Sequence, residues 1–231
     1  MLIIGFGNRA RHGKDTAAEA VKNFYDQKNA LAIKHGQHKA IVRVGVFKFA
    51  TALYNEANEW LKVFDGKNNW AHATIQEQRK DGTISTVILP DWVVPSPEYE
   101  PTPLAPYGKH PKLLQWWGTE YRRAQNKNYW VDKLFASIPA NTDIALISDV
   151  RFQNEADAIT SRGGYNVNVQ RLNQDGTMYQ STDRSPNHLS ETALDNYNWQ
   201  FKLTNHEGHQ ALLEEQSITL VEYLRAAHEE M

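Results

Sequence analysis

Residues 5–16 read Gly-Phe-Gly-Asn-Arg-Ala-Arg-His-Gly-Lys-Asp-Thr. Glycines that let backbone N–H groups converge, then a lysine and a hydroxyl where a helix begins, are equipment for holding a phosphate. The turn amides, the positive end of the helix macrodipole and the Lys14 ammonium all address one anion. Against the pattern G-x-x-x-x-G-K-[ST], Asn8 stands at the first glycine place and Gly7 falls one residue early. Asp15 holds the hydroxyl place and Thr16 follows it. Arg9 and Arg11 add two cations, and Lys14 is expected to sit in a solvated loop. A second candidate pair, Asp149 and Arg151, ends the apolar run 143–149. Asp149 can orient magnesium through water and Arg151 can clamp a phosphate with its planar fork; the alternative is that the two simply pair with each other.

These groups need elements to carry them. Leu2-Ile3-Ile4 reads as a short buried strand feeding the turn, and Ala17, Val21 and Phe24 give the following helix an apolar stripe. Residues 41–46 read as a second strand and Phe47 to about Leu61 as a helix. The near-continuous apolar run 143–149 reads as a central parallel strand. Ligands of open α/β sheets bind outside the carboxyl ends of such strands, which puts Asp149 and Arg151 on the rim of the glycine turn. Phe152, Ala156 and Ile159 mark a helix stopped by Gly163-Gly164, with Glu155 in its first turn. Residues 165–171 alternate with period two, as a strand solvated on one face, and 200–205 form a last short strand. Leu213, Leu220, Val221 and Leu224 mark a C-terminal helix. The expected fold is therefore α/β, a mainly parallel five-stranded sheet flanked by helices. His35 and His38, like His206 and His209, read as solvated or capping residues, since neither pair has a third ligand.

From 64 to 112 the texture changes. Asp-Gly turns at 65–66 and 81–82 precede a strand-like 83–89, and prolines at 90, 95, 97, 101, 103, 106 and 111 exclude helix or central strand. This reads as a surface insertion anchored by Trp70, Trp92 and Tyr99, either a decorated loop or a substrate cover. Residues 112–123 and 128–135 read as amphipathic helices whose Trp116 and Trp117 belong to a core. Gly118-Thr119 interrupts the first, suggesting a bend or a ligand close to the backbone. Trp130 could offer a nucleobase an aromatic face. The polar segment 172–191, with Arg171 at its hinge and Arg184 inside it, has little to bury and reads as a mobile closing element; His188 and Glu191 either fix its closed end or merely begin a helix.

Taken together and in order, Gly13-Lys-Asp-Thr16, the 113–120 run Leu-Leu-Gln-Trp-Trp-Gly-Thr-Glu, the Trp130 segment, the 149–155 run Asp-Val-Arg-Phe-Gln-Asn-Glu and the 188–191 run His-Leu-Ser-Glu resemble the deoxynucleoside monophosphate kinases of large tailed bacteriophages. The resemblance covers most of the chain except about 64–110. It implies an adenylate-kinase-like P-loop kinase core as one domain, 1–231, with an acceptor-binding excursion at 47–141, the Pro-rich insertion at 64–112 and a lid at 172–198. It implies magnesium-dependent transfer of the ATP γ-phosphoryl group to deoxynucleoside monophosphates of several bases, in nucleotide biosynthesis. On that pattern Asn8, Arg9, Arg11, Gly13, Lys14, Asp15, Thr16 and Arg184 would hold ATP. Lys48, Lys112, Gly118, Thr119, Trp130, Asp149, Arg151 and Glu155 would line the acceptor site. Lys14, Arg151 and Asp149 would serve catalysis, and Asp149 and Thr16 would meet Mg2+, directly or through water. Asn8 and the insertion depart from the pattern, so loop geometry and base preference are open.

Composition narrows the classes. Lys plus Arg is 25 against 27 Asp plus Glu, which gives no basic field for nucleic acid. The chain has no cysteine, excluding disulfides and thiol chemistry, and its N-terminal apolar run is too short for a membrane or signal segment. A cytoplasmic protein is expected, in a host cell if phage-encoded, with ATP and a dNMP as partners, no nucleic acid, no membrane and homodimerisation open. The rival readings are another small-molecule P-loop kinase of the phosphomevalonate or dephospho-coenzyme A type, and a nucleic-acid-coupled P-loop ATPase.

Overall fold

A computed structural model describes residues 1–64, 74–79, 81–93, 101–108, 110–181 and 189–230. Of the expected features, Trp70, Tyr99, Arg184 and His188 lie outside the described residues. The chain divides into two units, residues 1–49 with 131–231, and residues 50–130. The excursion expected at 47–141 extends beyond the second unit at both ends.

In the first unit five strands form one sheet: β1 (Leu2–Gly7), β2 (Val44–Phe47), and three that follow the second unit in sequence, β5 (Ile144–Val150), β6 (Tyr165–Leu172) and β7 (Phe201–His206). Their order is β2-β5-β1-β6-β7 and every pairing is parallel. β1 and β5 are central and covered on both faces, which is why their sequences are continuous apolar runs rather than alternations. Alternate side chains of β1 go to opposite faces. Leu2, Ile4 and Phe6 pack with Ala17, Ala18, Val21 and Tyr25 of α1 (Lys14–Lys34) and with Leu213, Val221 and Leu224 of α7 (Gln210–Glu229). Ile3, on the other face, packs with Val131 and Leu134 of α4 (Tyr129–Ser137) and Ala156 and Ile159 of α5 (Gln153–Thr160). Phe24, expected on the stripe of α1, is only half-buried and Tyr25 takes the core position instead.

β6 corrects one expectation. Its polar residues do not face water: Asn166 is fully buried and Asn168 nearly so. Asn166 Nδ2 donates to Ala156 O at 2.9 Å and to Thr160 Oγ1 at 2.9 Å, so burial of the amide is offset by hydrogen bonds.

The second unit starts with most of α2 (Phe49–Phe64) and contains an antiparallel hairpin, β3 (Thr74–Gln78) with β4 (Ile84–Ile88). The Asp81-Gly82 signal does mark its turn: Asp81 accepts from Thr83 N–H and hydroxyl, and Gly82 has φ 84°. β3 itself was not foreseen, because Thr-Ile-Gln-Glu-Gln carries a single apolar residue. α3 (Pro111–Gln115) passes directly into a π-helical stretch, Trp116–Arg123. Trp60, Trp116, Trp117, Trp130, Leu89 and Val93 form this unit's core. Trp92 is not an anchor; it is 45 % exposed, and its neighbour Val93 is the buried residue.

Candidate functional site

β1 ends at Gly7, level with Val150 of β5, and the chain turns through residues 8–13 into α1. Asn8 occupies the pattern's first glycine place and adopts φ 109°, a left-handed conformation that asparagine tolerates better than most residues. Its amide donates to Asn168 Oδ1 at 2.7 Å and Val169 O at 3.3 Å, so the turn is fastened to β6. Arg11 also has positive φ, 59°. Gly13 closes the turn at φ 103°, where an added Cβ would lie 2.7 Å from Asn205 Nδ2 and 2.8 Å from Leu213 Cδ2. Only a residue without a Cβ fits there without displacing its neighbours.

Lys14 is not solvated as expected; it is 6 % exposed and its ammonium donates to Arg9 O at 2.5 Å. Burial pushes its pKa from the ordinary lysine value down to about 7, and the Arg151 guanidinium adds to the push against Glu191, Asp15 and Asp149. His12 is fully buried behind the turn, with Nε2 donating to Tyr179 O at 3.1 Å and Nδ1 accepting from Arg171 N–H at 3.3 Å. That pattern requires the neutral ring. Burial, with Lys14 contributing, lowers its pKa against the pull of the Tyr179 carbonyl. The turn is thereby tied to the start of the expected lid, where Arg171 covers the Tyr179 ring at 4.3 Å.

The carboxyl end of β5 supplies the other groups. Ser148 Oγ donates to Asp15 Oδ1 at 2.6 Å and Lys48 pairs with the same oxygen at 2.7 Å. Desolvation works to raise the Asp15 carboxyl, but Lys48 and Ser148 outweigh it and hold it below the ordinary carboxylate value. Asp149 Oδ1 accepts from Phe49 N–H at 2.8 Å. Arg151 Nη1 donates at 2.7 Å to Glu191 Oε1, and Glu191 Oε2 accepts from Ala10 N–H of the turn at 2.7 Å. Arg9 meets both oxygens of Asp195 at 2.9 Å. Glu155 caps its own helix, accepting from Arg151 N–H at 2.8 Å and Phe152 N–H at 3.1 Å. Beside Thr16 a groove of about 630 Å3 runs between α1 and α7, past Phe24 to Gln210, Glu214 and Ile218.

The first unit thus gathers Asn8, Arg9, Gly13, Lys14, Asp15, Lys48, Asp149 and Arg151 about one turn. Of the remaining acceptor candidates, Glu155 also lies in the first unit, as the cap of α5, and Lys112, Gly118, Thr119 and Trp130 belong to the second. There Lys112 is exposed and Thr119 half-buried, whereas Gly118 and Trp130 are interior. Trp130 is 2 % exposed and its indole N–H donates to Gly118 O at 2.9 Å. A Cβ on Gly118 would meet Leu53 at 3.0 Å, so the close approach implied by this glycine is made by a neighbouring side chain. Trp130 is a core residue, not an open face for a base. The buried polar centre of this unit is Arg122, between the rings of Trp117 (4.3 Å) and Tyr129 (4.6 Å) and paired with Glu56 and Glu77.

Asp195, His12 and Asn168 as partners of the turn, and Ser148 as a partner of Asp15, were not foreseen, and Glu191 was singled out only for the end of the segment 172–191. The usable signal was amide side chains alternating along β6, which mark polar business on a strand that is otherwise core.

Among the described residues no cluster of three His, Asp or Glu is placed to hold a metal ion, and no helix is long and apolar enough to cross a membrane. Compared with known proteins, the chain matches no protein family and no curated protein sequence is significantly similar to it.

Proposed function

We propose that the chain transfers the γ-phosphoryl group of ATP, in the presence of magnesium, to deoxynucleoside 5′-monophosphates. One observation carries the reading: Lys14 is buried at the joint of turn 8–13 and α1, with Arg151 close enough to depress its pKa. Burying an ammonium beside a guanidinium is costly unless an anion compensates. Phosphate is the anion that glycine turns at helix N-termini are built to hold. The parallel sheet supports the reading further, because the turn leaves the end of β1 between β5 and β6.

In this mechanism the turn's N–H groups and Lys14 hold the donor phosphates, and the groove beside Thr16 gives the donor's nucleoside room. Transfer through a loose transition state needs positioning and positive charge rather than a general base. Lys14 follows the moving phosphoryl group and Arg151 clamps the phosphates with its fork. His12, fixed in its neutral form, holds the turn against β6. Magnesium, when bound with the nucleotide, would meet Asp149 and Thr16 and neutralise phosphate charge. The donor set fits an ion held mainly by phosphate oxygens, since one Asp149 oxygen already accepts from Phe49 N–H. The dNMP as acceptor rests on the sequence resemblance, with Lys112 and Thr119 as its accessible residues. Trp130 does not add to it, being core.

The test is a coupled ADP-release assay with Mg-ATP and a panel of dAMP, dGMP, dCMP, dTMP, ribonucleotides, phosphomevalonate and dephospho-coenzyme A. At least two dNMPs should be phosphorylated. Hydrolysis to water with no acceptor preference refutes the kinase reading.

A further inference from the structure

Glu191 lies in α6 (Leu189–Thr192), and its side chain is only 5 % exposed. A carboxylate so enclosed has to find donors in the protein. Two of them belong to the phosphate machinery: Oε2 accepts from Ala10 N–H of the turn and Oε1 from Arg151 Nη1, each at 2.7 Å. Asp195, four residues on, grips the adjoining Arg9 through both oxygens. The segment 189–195 is therefore fastened to consecutive residues of the turn, and one buried carboxylate joins the turn's backbone to the guanidinium from the end of β5.

We propose that Glu191 is a positioning residue for phosphoryl transfer, holding the Arg151 fork against the phosphate turn. The proposal rests on the kinase reading above and adds a residue to it. A guanidinium has five N–H donors, so one bond to Glu191 leaves donors for a phosphate. Arginine is long and flexible, and a site gains from a charge fixed in place before the substrate arrives. The carboxylate supplies that fixation from a buried position and does not itself touch the reacting atoms.

The test is a double-mutant cycle on the full chain with Glu191→Gln and Arg151→Met, read by steady-state kinetics. Glu191→Gln keeps the size but removes the charge and one acceptor; it should lower kcat about 10- to 100-fold and leave the KM for ATP within about threefold. In the Arg151→Met background the same change should cost less than about threefold, because the group through which Glu191 acts is gone. In the folded wild type the Arg151 guanidinium 15N resonances should show hindered rotation, and Glu191→Gln should abolish it. If Glu191→Gln does not fold, Glu191→Asp, which keeps charge but shortens reach, takes its place in the same cycle. Equal losses in both backgrounds overturn the proposal. So does tighter ATP binding by Glu191→Gln, which would make Glu191 an internal competitor of phosphate. Failure of the wild type to phosphorylate any acceptor is a different result: it removes the kinase reading, and the proposal falls with it.

Discussion

Nucleotide binding should draw a proton onto the protein. With the Lys14 pKa at about 7, roughly nine-tenths of the lysine is neutral at about pH 8 before a nucleotide binds. The phosphates of ADP placed beside it favour the ammonium and raise the pKa, so at about pH 8 binding should take up about 0.9 proton, and at about pH 6 only about 0.1. The sign follows from the depressed value: affinity is full below about 7 and declines as pH rises above it. The decline approaches tenfold per unit, or about 1.4 kcal/mol, giving about a tenfold loss between pH 6 and 8. Isothermal titration with Mg-ADP in buffers of different ionisation enthalpy reads the proton directly, because the observed heat changes in proportion to the protons taken from the buffer. Lys14→Met is the control that separates the lysine from His12, and its binding heat should be independent of the buffer. If wild type binds Mg-ADP with the same heat in every buffer at about pH 8, the lysine is already charged and the argument from burial is wrong.

The same burial makes Lys14 costly to the fold, because a lysine with a lowered pKa leaves the unfolded chain holding more protons between about 7 and the ordinary value. Lys14→Met should raise the unfolding free energy at neutral and acidic pH by about a few kcal/mol, seen as a higher Tm, with the advantage shrinking as pH rises towards 10.5. Its kcat should fall by about two orders of magnitude in the same preparation. Gly13→Ala, strained at φ 103° and pressed on Asn205 and Leu213, should lower stability by about 1–3 kcal/mol in thermal unfolding. An unchanged Tm would mean that the turn is wider than described. In the second unit, Arg122→Met leaves Glu56 and Glu77 without their shared cation and should cost about 2–4 kcal/mol in urea unfolding. A loss below about 1 kcal/mol would show that water already screens the pair.

What could be read from the sequence was whatever depends on one element's own pattern. β1 and β5 announce themselves as apolar runs, α1 by its stripe, and the turn 8–13 by its glycines and lysine. What could not be read depends on what packs against an element. Polar alternation in β6 suggested water on one face, yet Asn166 finds Ala156 O and Thr160 Oγ1, and Asn168 finds Asn8, so the face is closed. A lysine in a glycine turn suggested solvent, but Glu191 and Arg151 converge beside it. Trp130 suggested a face for a base, but it is spent on Gly118 O and the Trp60 cluster. Position 8 shows the reverse case. Asn8 breaks the glycine pattern by residue type, yet takes a positive φ of 109° and adds two hydrogen bonds that a glycine could not make.

The arrangement of charge about the turn bears on how a phosphate could be received. Arg9 is held by Asp195, Arg151 by Glu191 and Lys48 by Asp15. Cations crowded about one turn repel one another, and each of these pairs reduces that repulsion while holding a flexible side chain in place. On the proposed reading, an arriving phosphate would meet a site already ordered, so less of its interaction energy would go into arranging side chains and more would remain for charge that develops during transfer. The cost appears at Lys14, the most deeply buried cation of the group, whose pKa burial and the Arg151 guanidinium push down to about 7 against the pull of Glu191, Asp15 and Asp149. The group with most to gain from an incoming phosphate is therefore the lysine at the joint of turn and helix, where the proposed transfer would need a charge to accompany the γ-phosphoryl group.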